Sequence, residues 1–69
     1  MTDTQLLTER IKASGLKLNF IAQKMGITRQ SLSNKIYNRR LFNAAEIKAL
    51  CDILSIASAK EKEKIFFKE

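Results

Sequence analysis

The chain has 69 residues, of which 45% are hydrophobic, and carries a formal net charge of +6 at pH 7 with a sequence pI near 9.8. This length predicts a single domain over residues 1–69, because so small a core cannot be divided in two. A single cysteine excludes an intramolecular disulfide, and the absence of histidine excludes a zinc site of four Cys and His ligands.

Helix one is predicted to begin after the Thr2-Asp3-Thr4 cluster and to run to about Ser14. Leu7 and Ile11 are four residues apart, so they share the inner face of this helix. Gly15 follows and predicts a left-handed stop.

Helix two is predicted over about residues 18–25 and ends at Gly26. Its apolar stripe follows the spacing i, i+3, i+4 and i+7: Leu18, Ile21, Ala22 and Met25. A turn of three residues follows, and a short turn that begins with glycine is typical of a helix-turn-helix. Ala22 lies four residues before this glycine, where a small side chain permits helix three to cross closely over helix two.

Helix three is predicted to begin after Thr28, whose hydroxyl can cap it, and to run to about Tyr37. Only Leu32 and Ile36 face the core. The outer face carries side chains that can read base edges: Arg29, Gln30, Ser33 and Asn34. Arg can donate two hydrogen bonds to guanine, while Gln and Asn can each pair with adenine through one donor and one acceptor.

Helices four and five both begin with capping signals. Asn43 and Glu46 match a capping box, so helix four begins at residue 44, and Ser58 with Glu61 repeats the signal before the segment AKEKEKIFF. The inner face of helix four is predicted to be Ile47, Leu50, Cys51 and Leu54, which makes the thiol a small buried apolar group. The fold is therefore predicted to be all-α with five helices.

The positive charge is concentrated in one part of the chain. Residues 10–40 contain eight lysines and arginines and no acidic residue, whereas the remaining residues sum to −2. A block of one sign attracts polyanions and favours nucleic acid over a membrane, because no helix combines a basic face with a broad apolar one. The following residues flank the reading helix as candidate phosphate contacts: Lys17, Asn19, Thr28, Lys35, Asn38, Arg39 and Arg40.

The segment FIAQKMGITRQSLSNKI resembles the helix-turn-helix of the repressor and Cro proteins of temperate phages. The matching positions are Ala22, Gly26, Ile27, Leu32 and Ile36. The tail NRRLFNAAEI resembles small phage regulators from Gram-positive hosts. The resemblance implies a compact lambda-repressor-like domain with its helix-turn-helix at about residues 18–37. It also implies a homodimer on a double-stranded DNA operator with two half-sites, read by Arg29, Gln30 and Asn34.

Three positions depart from the family pattern. Leu18 stands where many members have a glutamine that bonds a phosphate, Lys35 occupies a site that is usually apolar, and Phe20 falls where a polar residue is common. Leu18 and Phe20 favour an alternative, since some small relatives act as antirepressors that bind the DNA-binding domain of a partner phage repressor. Candidate residues for a protein interface are Phe20, Tyr37, Ile65, Phe66 and Phe67. The last three are also predicted to complete the core, but three successive residues cannot all point inward, so at least one is expected to reach a second subunit.

Enzymatic activity, a metal and a cofactor are not expected, because the sequence contains no histidine, phosphate-binding loop or paired carboxylates in its basic half. The longest apolar runs are short and the N-terminus does not match a signal peptide. We expect a cytoplasmic protein that acts at the nucleoid of a bacterial host cell.

Overall fold

Five α-helices and no strands make up the computed structural model, which describes all 69 residues. The helices are α1 (Thr4–Ser14), α2 (Leu18–Met25), α3 (Arg29–Ile36), α4 (Ala44–Leu54) and α5 (Ala59–Phe66). The predicted all-α class and the predicted starts of α2, α3 and α4 are confirmed. α3 ends at Ile36, and Tyr37 forms its C-cap.

Side-chain caps define where four of the helices begin. Asp3, Thr28, Asn43 and Ser58 each accept a hydrogen bond from the backbone N–H three residues on, at 2.8 to 3.3 Å. The Glu46 carboxylate also accepts from the Asn43 N–H at 2.9 Å, which completes the predicted capping box of α4. Each cap contributes about 1 kcal/mol, because it satisfies a backbone donor that the helix leaves unpaired.

Glycines end the first two helices. Gly15 and Gly26 have φ values of +73° and +74°, in the left-handed region where a side chain is disfavoured. After α2, the Gly26 N–H donates to the Gln23 carbonyl at 3.1 Å and the Ile27 N–H donates to the Ala22 carbonyl at 3.0 Å. These bonds fix the three-residue connection between α2 and α3.

The core draws on all five helices. α2 packs against α3 and α4, while α1 packs against α3, α4 and α5. The buried apolar residues are Leu7, Ile11, Ile21, Ala22, Leu32, Ile36, Ile47, Leu50, Cys51, Leu54, Ile56, Ile65 and Phe66. Phe42 packs edge-on against Phe66 with their ring centroids 5.5 Å apart. Leu18 and Met25, the ends of the predicted stripe on α2, are half-buried against this core.

The two ends of the chain lie side by side. The Asp3 N–H donates to the Ile65 carbonyl at 2.6 Å, and the Lys68 N–H donates to the Met1 carbonyl at 2.9 Å. Ile65 and Phe66 are only 2% and 4% exposed, whereas Phe67 is 54% exposed. The prediction that this segment completes the core is therefore confirmed for Ile65 and Phe66, and the alternative of an interface is wrong for these two because the end of α5 packs both into the core; Phe67 remains exposed.

None of the five helices is both long enough and apolar enough to cross a membrane.

Candidate nucleic-acid interface

The outer face of α3 carries the four predicted base-reading residues. Arg29 and Gln30 are exposed in its first turn, while Ser33 and Asn34 are half-buried one turn further along. Residues four apart on a helix lie on the same side, so Arg29 lies beside Ser33 and Gln30 beside Asn34. The opposite face holds the buried Leu32 and Ile36, which fix the rotation of the helix about its axis.

Asn34 is the centre of a hydrogen-bond cluster on this face. Its Oδ1 accepts from Gln30 Nε2 at 3.1 Å and from Arg39 Nε at 3.0 Å. Its backbone carbonyl accepts from the N–H groups of Arg39 and Arg40 at 2.8 and 3.1 Å. The segment after α3 thus folds back onto the helix.

This fold-back restrains Arg39. Besides the two bonds to Asn34, its guanidinium carbon lies 5.6 Å from the centroid of the exposed Tyr37 ring, at cation–π distance. The sequence suggested only a cation in a loop. In the structure, Arg39 is held beside the polar face of α3, with its terminal nitrogens left to contact a ligand.

Asn38 permits the turn that follows α3, but its side-chain amide is hydrogen-bonded within the protein. Its φ is +64°, a value that Asn tolerates better than most residues. Its Oδ1 accepts from the Thr2 N–H at 3.0 Å, and its Nδ2 donates to the Thr2 carbonyl at 2.9 Å. The predicted phosphate role of Asn38 therefore competes with a structural one, since its amide ties the N-terminal segment to the end of α3.

Lys35 is also engaged within the fold. Its Nζ forms an ion pair with the Glu46 carboxylate, and both side chains are only 14% exposed. Burial by itself raises the pKa of Glu46, but the hydrogen bonds from Lys35 and from the Asn43 N–H outweigh it, so this pKa lies below its usual value. Lys35 thus links α3 to α4, and it is not free to contact a phosphate.

The other predicted phosphate contacts lie at the surface. Lys17 and Asn19 are exposed at the start of α2, Thr28 is exposed before α3, and Arg40 is exposed after it. The Thr28 hydroxyl accepts the capping bond from the Ser31 N–H and retains its own proton for donation. Of these groups, Thr28 and Arg40 adjoin the two ends of α3 along the chain, whereas Lys17 and Asn19 belong to the start of α2.

Six of the eight cations in residues 10–40 have no acidic partner. Arg10 is paired with Glu61 at 3.3 Å and Lys35 with Glu46, and the only other ion pair in the protein joins Lys68 to Asp3 at the chain ends. The six unpaired and exposed cations are Lys12, Lys17, Lys24, Arg29, Arg39 and Arg40. Pairing between helices therefore removes two charges from the basic block and leaves six, of which Arg29 lies on α3 and Arg39 and Arg40 follow its C-terminal end.

Exposed apolar side chains accompany these cations. Phe20 is 44% exposed with Lys24 Nζ 5.7 Å from its ring centroid, Tyr37 is 53% exposed, and Leu41 is 77% exposed. Sequence reasoning had singled out Phe20 and Tyr37 but missed Leu41. Leu41 lies between Arg40 and Phe42 in the sequence, and it belongs to none of the periodic apolar patterns that predict a helix face.

A groove of about 650 Å³ lies between α1 and α5, away from the polar face of α3, and its lining includes Leu6, Arg10 and Glu61. No group of three or more His, Cys, Asp or Glu side chains is placed to hold a metal ion. The candidate site is the outer surface of α3, with the exposed cations Arg29, Arg39 and Arg40 on the helix and directly after it.

Comparison with protein-family models, with curated proteins and with solved structures gives no match to this chain.

Proposed function

We propose that this protein is a sequence-specific DNA-binding transcriptional regulator of the repressor and Cro type. In this proposal α2 and α3 form a helix-turn-helix, and α3 enters the major groove of an operator. The proposal is supported chiefly by the outer face of α3, which carries Arg29, Gln30 and Asn34 and belongs to a segment, residues 10–40, with six exposed and unpaired cations. A solvated helix face ordinarily mixes both signs of charge, whereas this one lies in a block without any acidic residue.

The chemistry of the face matches that of base edges. Arg29 can donate twice to guanine O6 and N7, and Gln30 can pair with adenine N6 and N7. Both lie in the first turn of α3, the end that contacts bases in helix-turn-helix complexes. Lys17, Asn19, Thr28, Arg39 and Arg40 would hold the sugar-phosphate backbone and fix the register.

Alanine variants test these roles. Arg29→Ala should relax the preference at one or two base pairs by roughly 5- to 140-fold, the equivalent of about 1–3 kcal/mol. Arg40→Ala should instead weaken binding to all sequences alike and reduce the slope of log K against log salt by about one. Equal losses on specific and random DNA for both variants would contradict the assigned roles.

The regulator is proposed to act as a homodimer on two half-sites. A protein of this size covers one short half-site, and dimers of helix-turn-helix proteins place their reading helices one turn of DNA apart. Sedimentation of the protein on its DNA at micromolar concentration should detect two copies. A protein that stays strictly monomeric on DNA would contradict the two-half-site arrangement.

A second candidate function is modulation of a partner repressor by binding its DNA-binding domain. The exposed Phe20, Tyr37 and Leu41 favour it, because aromatic side chains at a surface are frequent anchors of protein interfaces. A mobility-shift assay over the DNA upstream of the gene, with and without a neighbouring repressor, separates the two functions. A specific shift by this protein alone supports the regulator, whereas loss of the repressor's shift without one supports the modulator.

A further inference from the structure

We propose that Asn34 reads guanine and not adenine, because its acceptor atom is already occupied within the protein. The inference rests on the proposed DNA-binding function and specifies the base at one operator position. From the sequence alone, Gln30 and Asn34 are equivalent, because each carries an amide that can pair with adenine. The hydrogen bonds on α3 make them different.

The orientation of the Asn34 amide follows from its partner. Arg39 Nε lies 3.0 Å from the Asn34 side chain, and a guanidinium can only donate hydrogen bonds. The atom that faces it must therefore be Oδ1, which excludes the flipped amide. Gln30 Nε2 donates to the same oxygen at 3.1 Å.

These two bonds use both lone pairs of Asn34 Oδ1. Adenine recognition needs an acceptor for its N6 amino group as well as a donor for N7, so Asn34 cannot form the paired contact without losing a bond to Gln30 or Arg39. Its Nδ2 forms no hydrogen bond within the protein and keeps both protons. The group that Asn34 presents is thus a double donor, which suits the O6 and N7 acceptors of guanine.

Gln30 keeps a different pair of groups. Its Nε2 donates one hydrogen bond to Asn34 Oδ1 and has a second N–H free, while its Oε1 accepts no hydrogen bond within the protein. One donor and one acceptor remain, which is the set that pairs with adenine. Arg39 is consequently a positioning residue: through Oδ1 it determines which base Asn34 prefers, in addition to any phosphate contact of its terminal nitrogens.

Selection from a pool of random double-stranded DNA tests the assignment, with circular dichroism to confirm that each variant is folded. The position read by Asn34 is the one whose preference disappears in Asn34→Ala or in the isosteric Asn34→Asp, which lacks the two donors. Wild-type protein should enrich guanine there by roughly 5- to 140-fold over adenine. Adenine, thymine or no preference at that position, or no altered position in either variant, would overturn the inference.

Arg39→Ala and Arg40→Ala form a matched pair. Both variants remove one exposed positive charge from the same turn and keep the backbone bonds to the Asn34 carbonyl, but only Arg39 contacts the Asn34 side chain. Both should lower affinity on all DNA, whereas only Arg39→Ala frees a lone pair on Oδ1. The preference for guanine over adenine should therefore fall by about fivefold or more in Arg39→Ala alone.

The same preference in both variants would overturn the role of Arg39. A wild-type protein that enriches no sequence would refute DNA reading itself and this assignment with it. Enrichment of a defined operator with adenine opposite Asn34 would refute the assignment and leave the proposed function standing. The two failures are therefore distinguishable.

Discussion

Replacement of Glu46 by Gln should destabilise the fold through one interaction only. Glu46 both accepts from the Asn43 N–H and pairs with Lys35. A glutamine at this position can still complete the capping box, so Glu46→Gln keeps the cap and removes the charge that faces Lys35. The variant leaves a lysine that is 14% exposed without its partner.

The magnitude follows from that burial. Exposed ion pairs contribute about 0.2–1 kcal/mol, and removal of one partner from a fully buried pair costs about 3–5 kcal/mol. The pair of Lys35 and Glu46 is mostly buried, but it is close enough to the surface for Lys35 to regain some hydration. The cost of removing one partner should therefore lie between these two ranges. We expect a loss of about 1.5–3 kcal/mol, a large fraction of the free energy of unfolding of so small a domain.

Urea denaturation followed by helical circular dichroism measures this loss. Glu63→Gln is the matched control, because Glu63 is exposed in α5 and forms no ion pair, so it should change the free energy of unfolding by less than about 0.5 kcal/mol. Glu46→Ala should cost about 1 kcal/mol more than Glu46→Gln, since it also removes half of the capping box. A Glu46→Gln protein as stable as the control would contradict a stabilising ion pair between Lys35 and Glu46.

Three further predictions concern acid stability, the turn after α3 and the buried thiol. The folded pKa of Glu46 lies below the ordinary value of 4.5, so the contribution of Glu46 to stability is complete above about pH 4.5 and is lost as the pH falls through the folded pKa. The urea midpoints of wild type and Glu46→Gln should therefore converge in acid. A difference between the two midpoints that grows in acid would contradict the ion pair. Asn38→Gly keeps the positive φ but loses the hydrogen bonds to Thr2, so it should lower the free energy of unfolding by about 1–2 kcal/mol. Asn38→Ala should lower it by about 1 kcal/mol more, because alanine is strained at a positive φ. Equal urea midpoints for the two variants would exclude backbone strain at this turn. Cys51 is 6% exposed and burial raises the pKa of its thiol, so a thiol reagent should modify the native protein far more slowly than the urea-unfolded chain, and equal rates would contradict this burial.

The parts of the fold that the sequence predicts are those set by neighbours along the chain. Asn43 and Glu46 determine the start of α4 because both bonds of a capping box lie within one turn. Gly15 and Gly26 end helices through their own backbone preference, and periodic apolar residues select the buried faces. Each of these signals is complete within about four residues.

The contacts that the sequence does not predict depend on how the helices cross. The pairing of Lys35 with Glu46 requires the end of α3 to lie beside the start of α4, and the bonds from Asn38 to Thr2 join residues far apart in sequence. The contact between Arg39 and Asn34 at the candidate site is likewise not predicted by the sequence. The bond from Arg39 to Asn34 spans five residues, but it forms only because Asn38 adopts a positive φ and turns the chain back.

The placement of the site itself could be predicted from local pattern. Leu32 and Ile36 are the buried residues of α3, so the exposure of Arg29 and Gln30 follows from helix geometry. The hydrogen-bonding state of Asn34 could not be predicted, because it depends on a side chain outside the helix. That state is what distinguishes Asn34 from Gln30, the other amide on the outer face of α3.

Equilibrium titration of the purified protein onto two labelled duplexes, one enriched by selection and one with the same bases scrambled, measures whether α3 recognises a DNA sequence. At physiological salt we expect binding to the selected duplex at least about 10³-fold tighter than to the scrambled one. Arg29→Ala should lower that ratio by roughly 5- to 140-fold. Equal affinities for the two duplexes would contradict sequence-specific recognition by α3, and no binding to either would contradict the interaction with DNA altogether.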